Sequence, residues 1–309
     1  MLKPRALSRG DRIAVVAPAS PFRRDDFERG VAEIGRLGFR PVFEEGVFDR
    51  RGYVAGEAAA RAEAIAAAWR DDGIAGLMVA RGGYGSVQLL PHLAADAARR
   101  ARKAFIGYSD VTSILSWLTT QCGVVCFHGP SVAGCLGRGA PGYDADSLVR
   151  AVTCAEPLGS LHAAGLEALR SGDAHGILLG GTLTQLVTSL GTPFAFDPPQ
   201  GHVLLLDEVG ERPYRLDRML TQLALAGTLG RASAVVFGEL PGCDEPDDGP
   251  TARATVADVL RDFPGPVLFG LPTGHTTGPA MTVPLGVRAR VVAGPEPALV
   301  IEETAVEGG

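Results

Sequence analysis

One serine in this chain stands where a hydroxyl can do chemistry. The segment Phe105-Ile106-Gly107-Tyr108-Ser109-Asp110-Val111-Thr112 runs from an apolar stretch straight into Ser109, and helical spacing begins immediately after it. That arrangement exposes the hydroxyl at the carboxyl edge of a parallel sheet, where open α/β proteins bind ligands. It also sets the oxygen beside a helix N-terminus, whose free N–H groups favour developing negative charge. The geometry is that of a nucleophile elbow, although Val111 stands where the pattern GxSxG has its second glycine. The plainer alternative is that Ser109 or Asp110 only caps the helix.

A nucleophilic serine needs a base, and the base needs an acid to orient it. Of six histidines, His275 lies in the turn Leu271-Pro272-Thr273-Gly274-His275-Thr276-Thr277-Gly278-Pro279, between two strand-like runs, from where it can project into a cleft. His128, in Phe127-His128-Gly129-Pro130, is the other contender, whereas His202 opens a strand and His92, His162 and His175 have ordinary surface contexts. For the acid, Val203-Leu204-Leu205-Leu206-Asp207-Glu208-Val209 ends an apolar strand in two carboxylates. Alternation sends them to opposite faces, so only one of Asp207 and Glu208 readily faces a cleft. The turn Arg81-Gly82-Gly83-Tyr84-Gly85 reads either as a tight turn or as one that binds an anion or oxyanion.

These residues need a frame. Arg12–Val16, Arg40–Phe43, Ile74–Ala80 and Ala104–Tyr108 read as strands, and helical spacing falls in Asp25–Leu37, Glu57–Ala68, Val87–Leu93 and Val111–Thr119. Such alternation predicts an α/β, Rossmann-like parallel sheet over residues 1–155. After a linker at 156–175 the texture changes to short runs divided by Gly, Pro and Asp, with helices only at Thr182–Leu190 and Leu216–Ala226. This predicts a β-rich, small barrel-like domain over 176–309 rather than continued winding.

Composition excludes several classes. Gly and Pro together, 41 and 22 of 309 residues, exceed average usage. With 46% hydrophobic and 21% charged residues, however, the chain has enough apolar surface to fold compactly. A net charge of −6 with no basic tract argues against nucleic acid, the densest basic group being Arg99, Arg100, Arg102 and Lys103. No apolar run approaches a membrane span, and the segment Met1–Asp11 does not read as a secretory signal. Five cysteines without paired CxxC spacing predict buried reduced thiols and a cytoplasmic protein. GxxxxGK[ST], GxGxxG and HExxH are all missing, so no nucleotide, cofactor or metal is expected.

The ordered blocks along the chain resemble the LD-carboxypeptidases, which include muramoyltetrapeptide carboxypeptidase. They are VAPAS at Val16–Ser20, VARGGYGS at Val79–Ser86, IGYSDVT at Ile106–Thr112 and FHGP at Phe127–Pro130. GGTLTQLVTSLGTPF at Gly180–Phe194, LLLDEVGERPYRLDRMLTQL at Leu204–Leu223 and GHTTGPAMTVPLG at Gly274–Gly286 complete the set. The resemblance implies a serine peptidase that removes the terminal D-alanine of cytoplasmic muropeptides, with its Ser–acid–His triad between the two domains. It places the nucleophile on Ser109, the base on His275 and the acid on Asp207, where the family more often has glutamate, with Glu208 as the alternative. It further implies an oxyanion hole from Gly82 or Gly83 with Asp110, substrate contacts by Arg81 and Tyr84, and a homodimer. Two rival readings are a microcin C immunity-type peptidase acting on acyl-sulfamoyl or aspartyl-adenylate conjugates and a non-catalytic muropeptide-binding protein.

Overall fold

The structure is a computed structural model and describes residues 1–308. Five strands open the first sheet: β1 Arg12–Val16, β2 Arg40–Val42, β3 Ile74–Val79, β4 Ala104–Gly107 and β5 Cys126–His128. All are parallel and lie in the order β2-β1-β3-β4-β5. The winding therefore reverses between β1 and β3, the point at which doubly wound sheets leave a crevice for ligands. Helices Arg24–Arg36, Ala58–Arg70, Ala95–Ala101 and Thr112–Thr120 alternate with these strands. The helix expected at Val87–Leu93 is a 3₁₀ segment, Ser86–His92, because Pro91 has no N–H to continue an α-helical ladder.

The second half supplies β6 Gly159–Leu161, β7 Glu167–Arg170, β8 Gly172–Thr182, β9 His202–Asp207, β10 Ala232–Gly238, β11 Val267–Leu271, β12 Val283–Leu285, β13 Arg288–Ala293 and β14 Ala298–Ile301. All but β12 form one sheet, in the order β6-β14-β13-β8-β9-β10-β11-β7. Its middle strands β8 to β11 are parallel and are joined through helices Leu183–Ser189, Pro213–Leu225 and Ala252–Val259. Winding thus continues in this half, against the expectation from sequence. The helix Ala252–Val259 is only eight residues long and packs Ala252 and Val256 inward.

The expectation of a linker at 156–175 is corrected as well, since β6 and β7 lie within it and form opposite edges of the sheet. Only residues 162–166 join them, a reach of about 21 Å when extended. Eight strands laid flat would put those edges about 34 Å apart, so the sheet must curl toward a barrel. Side-chain alternation then gives it two buried faces. Leu178, Val203, Leu205, Ala234 and Val236 belong to the core that runs through the first domain. Their neighbours Leu179, Leu204, Leu206, Val235 and Phe237 form a second core under the helices. β12 is the exception to the domain division: it crosses back and pairs antiparallel with β5, Val283 opposite His128.

One packing contact tests this arrangement directly. Gly30, in helix Arg24–Arg36, leaves room for the carbonyl of Val132, which a Cβ would meet at 2.1 Å. Alanine in a helix interior is normally worth about 0.8–1.0 kcal/mol over glycine. Overpacking against backbone costs about 1–3 kcal/mol, so the clash wins. Gly30→Ala should lower the midpoint of urea unfolding.

Candidate active site

Ser109 has φ +66°, the left-handed region that β-carbon-bearing residues rarely occupy. The turn folds this tightly because its neighbours lack side chains. A Cβ on Gly107 would lie 2.7 Å from Val79 Cγ2, and one on Gly82 would lie 2.8 Å from Ser109 Cβ and 3.5 Å from the Asp110 nitrogen. The turn after β3 is therefore pressed against the start of the helix after β4. The Gly82 carbonyl points away and accepts from the Ser20 N–H at 3.2 Å. Among the described residues, the N–H groups of Gly82 and Gly83 have no hydrogen-bond acceptor.

The His275 ring lies between Ser109 and Asp207. Its Nε2 is 3.1 Å from Ser109 Oγ, and its Nδ1 is 2.7 Å from Asp207 Oδ2. The His275 backbone N–H also donates to Asp207 Oδ2, at 2.9 Å. With an ionised Asp207, which has no proton to give, Nδ1 must carry the hydrogen and Nε2 is left free to accept one. The other oxygen, Asp207 Oδ1, accepts from the Thr182 hydroxyl at 2.7 Å, a partner set by register because Thr182 faces Asp207 across β8 and β9.

Electrostatics follow from this geometry. Burial alone would push the Asp207 carboxyl up, but the two neighbouring histidines outweigh it and hold it well below the usual carboxylate range. Burial alone would likewise lower His275; the hydrogen bond and charge of Asp207, helped by the charge of Glu208, raise it above its ordinary value of 6.5. The Tyr108 ring packs edge-on against the imidazole, 5.0 Å between centroids, and shields it from water.

The remaining sequence candidates fall into distinct places. Glu208 faces away from His275: it accepts from the Thr184 N–H at 2.9 Å, the Thr184 hydroxyl at 2.6 Å and the Val209 N–H at 3.0 Å. Burial pushes its carboxyl up. His128, the other contender for a base, instead lies 3.6 Å from Asp207 Oδ1, beyond hydrogen-bond length. It is buried, with its Nδ1 3.1 Å from Thr273 Oγ1. Asp110 accepts from the Ser86 N–H at 2.8 Å, and its carbonyl accepts from the Ser86 hydroxyl at 2.6 Å, so it ties the glycine turn to the serine elbow. Arg81 donates to the Pro21 carbonyl at 2.8 Å. Tyr84 is exposed, its ring 5.5 Å from that of Tyr53. Thr182, Tyr108 and Thr273 went unnoticed in the sequence; nothing local marks them, since each matters only through a residue far away in the chain.

The chain matches the LD-carboxypeptidase N-terminal domain over residues 13–129 and the LD-carboxypeptidase C-terminal domain over residues 175–291. It belongs to the LD-carboxypeptidase family. A probable murein peptide carboxypeptidase of Bacillus subtilis is 31% identical over 323 residues, covering 99% of this chain and 96% of that protein. A solved muramoyltetrapeptide carboxypeptidase from Oxalobacter formigenes is similar at a TM-score of 0.83 and 27% identity, covering 94% of this chain and 99% of that one. A microcin C7 self-immunity protein, the Escherichia coli form of which is 25% identical to this chain, is also similar. Its structure in complex with aspartyl sulfamoyl adenosine reaches a TM-score of 0.91 at 23% identity, covering 99% of this chain and 100% of that one. That last likeness concerns the fold alone. The protein is thus a peptidase of this family with the family's two-domain α/β fold. Among the described residues no helix is long and apolar enough to cross a membrane, and the five cysteines are free thiols.

The Asp110 tie makes a prediction independent of any substrate. Asp110→Ala leaves the Ser86 amide without its acceptor. Hydrogen exchange at this amide should accelerate, with a stability loss of about 1–3 kcal/mol. Unchanged protection there would show that the turn is held by other contacts.

Proposed function

We propose that this protein is a serine carboxypeptidase that releases terminal D-alanine from an L,D-peptide bond of cytoplasmic muropeptides. The observation that carries the reading is the unbroken hydrogen-bonded chain Ser109–His275–Asp207. Kinship to a murein peptide carboxypeptidase supports the substrate class.

The steps follow from the donors and acceptors. Neutral His275 takes the Ser109 proton at Nε2 as Oγ attacks the scissile carbonyl carbon, and Asp207 stabilises the imidazolium that forms. The carbonyl oxygen becomes an oxyanion facing the backbone N–H groups of Gly82 or Gly83 and Asp110. Each such donor is worth about 3–4 kcal/mol in the transition state. As the tetrahedral centre collapses, His275 gives its proton to the departing D-alanine nitrogen and the C–N bond breaks. Water, deprotonated by His275, then attacks the acyl-serine; the ester bond breaks and Oγ regains its proton.

Ser109→Ala should abolish D-alanine release from muramoyl tetrapeptide while leaving the thermal unfolding curve in place. Asp207→Asn should reduce turnover about 10⁴-fold, because the amide donates where the carboxylate accepts and disfavours the productive tautomer. Glu208→Gln should act mainly on stability, and an equal fall in turnover for the two acid variants would overturn the assignment. Turnover of aspartyl sulfamoyl adenosine with no D-alanine release from any muropeptide would overturn the substrate class.

The titration of His275 gives a pH test. Catalysis requires the neutral ring, and the folded protein holds the ring's protonation above the ordinary value of 6.5. The rate should therefore climb with pH through a midpoint above that value. Asp207→Asn should shift whatever rising limb remains to lower pH. A wild-type limb centred below 6.5 would contradict this account of the base.

A further inference from the structure

Beside the glycine turn lies a cleft of about 360 Å³, lined by Ser20, Pro21, Phe22, Arg23, Arg50, Tyr53 and Arg81. It opens at the carboxyl ends of β1 and β3, where the winding of the first sheet reverses, the position at which doubly wound sheets take up ligands. Its connection to Ser109 is direct. Ser20 accepts from the Tyr84 N–H at 3.1 Å and donates its own N–H to the Gly82 carbonyl at 3.2 Å, and Gly82 lies against Ser109.

Three arginines and no acidic residue line this space, in a protein whose formal charge is −6. Arg50 and Arg81 are held in place by single bonds to backbone, to the Phe22 carbonyl at 3.0 Å and the Pro21 carbonyl at 2.8 Å. Each guanidinium has five N–H donors, so most remain available for a ligand. Arg23 is only loosely engaged, with Asp25 at 3.7 Å and Asp26 at 4.0 Å. Planar forks anchored at one corner suit a carboxylate, which accepts two parallel hydrogen bonds.

The position in the sheet says which part of a peptide would reach the cleft. His275 must hand its proton to the leaving nitrogen, so the leaving residue lies toward His275. That loop leads into β12, on the β5 side of Ser109. The cleft lies on the opposite side, across β3 toward β1. We propose that Arg50 and Arg81, with Arg23 at the rim, form a carboxylate-binding subsite for the part of the peptide that stays on Ser109. The proposal rests on the peptidase reading above. Two carboxylates of a muropeptide meet this description: the α-carboxylate of the γ-linked D-glutamate and a side-chain carboxylate on the diamino acid that follows it.

Synthetic tetrapeptides distinguish the two sources. One has both groups free, and two others have one or the other converted to its carboxamide. With the wild-type protein, amidation of one of the two should lower kcat/KM for D-alanine release about ten- to a hundredfold, as expected for losing a charge-assisted hydrogen bond. In Arg50→Gln and in Arg81→Gln that ratio should shrink toward one, provided each variant retains the wild-type melting temperature; either variant alone suffices if the other unfolds. The subsite is overturned if neither amidation matters in the wild type, or if the ratio is unchanged in both variants. Should the wild type cleave none of these peptides, the peptidase reading fails. Calorimetric titration of Ser109→Ala protein with the same peptides then judges the cleft alone: a loss of affinity on amidation that Arg50→Gln erases supports it, and equal affinities overturn it.

Discussion

The Asp207 carboxylate is the group on which the rest of the site depends. It is wholly buried, and an ionised carboxylate removed from water is destabilising by several kcal/mol unless its oxygens are matched by donors. Here Oδ1 accepts from Thr182 and Oδ2 accepts twice from His275, while His128 lies alongside. These partners come from the end of β8, the loop after β11 and the end of β5. The folded chain must bring three distant segments together to satisfy one anion, and in doing so it fixes the imidazole tautomer. The acid therefore organises the domain junction as well as the histidine.

Convergence at that junction rests on a strand that crosses between the sheets. His275 sits between Leu271, the end of β11 in the second sheet, and Val283, the start of β12 in the first. Thr273 and Met281 close the loop by a bridge, and the Thr273 hydroxyl donates to the Met281 carbonyl at 2.9 Å. Gly274, at φ +67°, has to be glycine, because a Cβ would lie 2.2 Å from Asp207 Oδ2. From the other direction, the Thr182 N–H donates to Thr112 Oγ1 at 3.0 Å, three residues beyond Ser109. A continuous apolar core spans both sheets beneath these contacts. The gap between Ser109 and His275 is thus set by domain packing, and a misplacement of about 1 Å at such a site can cost a hundredfold in rate.

How much of this was legible in the sequence depended on whether the cause was local. The buried strands announced themselves as apolar runs, and Ser109 was marked by an apolar strand ending where a helix begins. Asp207 and Glu208 could be narrowed only to a pair, because alternation separates their faces without saying which face meets His275. The resemblance to a known family then added the preference for one of them. Strands β6, β7 and β12 were not legible. They read Gly-Ser-Leu, Glu-Ala-Leu-Arg and Val-Pro-Leu, too short to show a period, and the last contains a proline that fits an edge strand only. Their structure comes from the neighbours they pair with. The same holds for Thr182, which matters through its register with Asp207, and for His128, which becomes a neighbour of the acid only once the two domains meet.

The strain at Ser109 fits this division between local and global causes. A left-handed conformation at a residue with a side chain costs about 1–3 kcal/mol, and the pentapeptide around it offers no compensation. What holds it is the press of the glycine turn on one side and the packing of the following helix on the other, where Thr112 through Thr119 are all buried. Rigidity here has an electrostatic counterpart. With a screening length of about 8 Å at physiological salt, an approaching peptide responds to the charges nearest its path rather than to the total of −6. Around the glycine turn those charges are arginines, while the carboxylates of Asp207 and Asp110 are buried and each accepts a hydrogen bond. A chain that is acidic as a whole can thus offer an anionic peptide a locally attractive entrance. The buried acid that positions the histidine does not repel it, because its charge is already matched inside the protein.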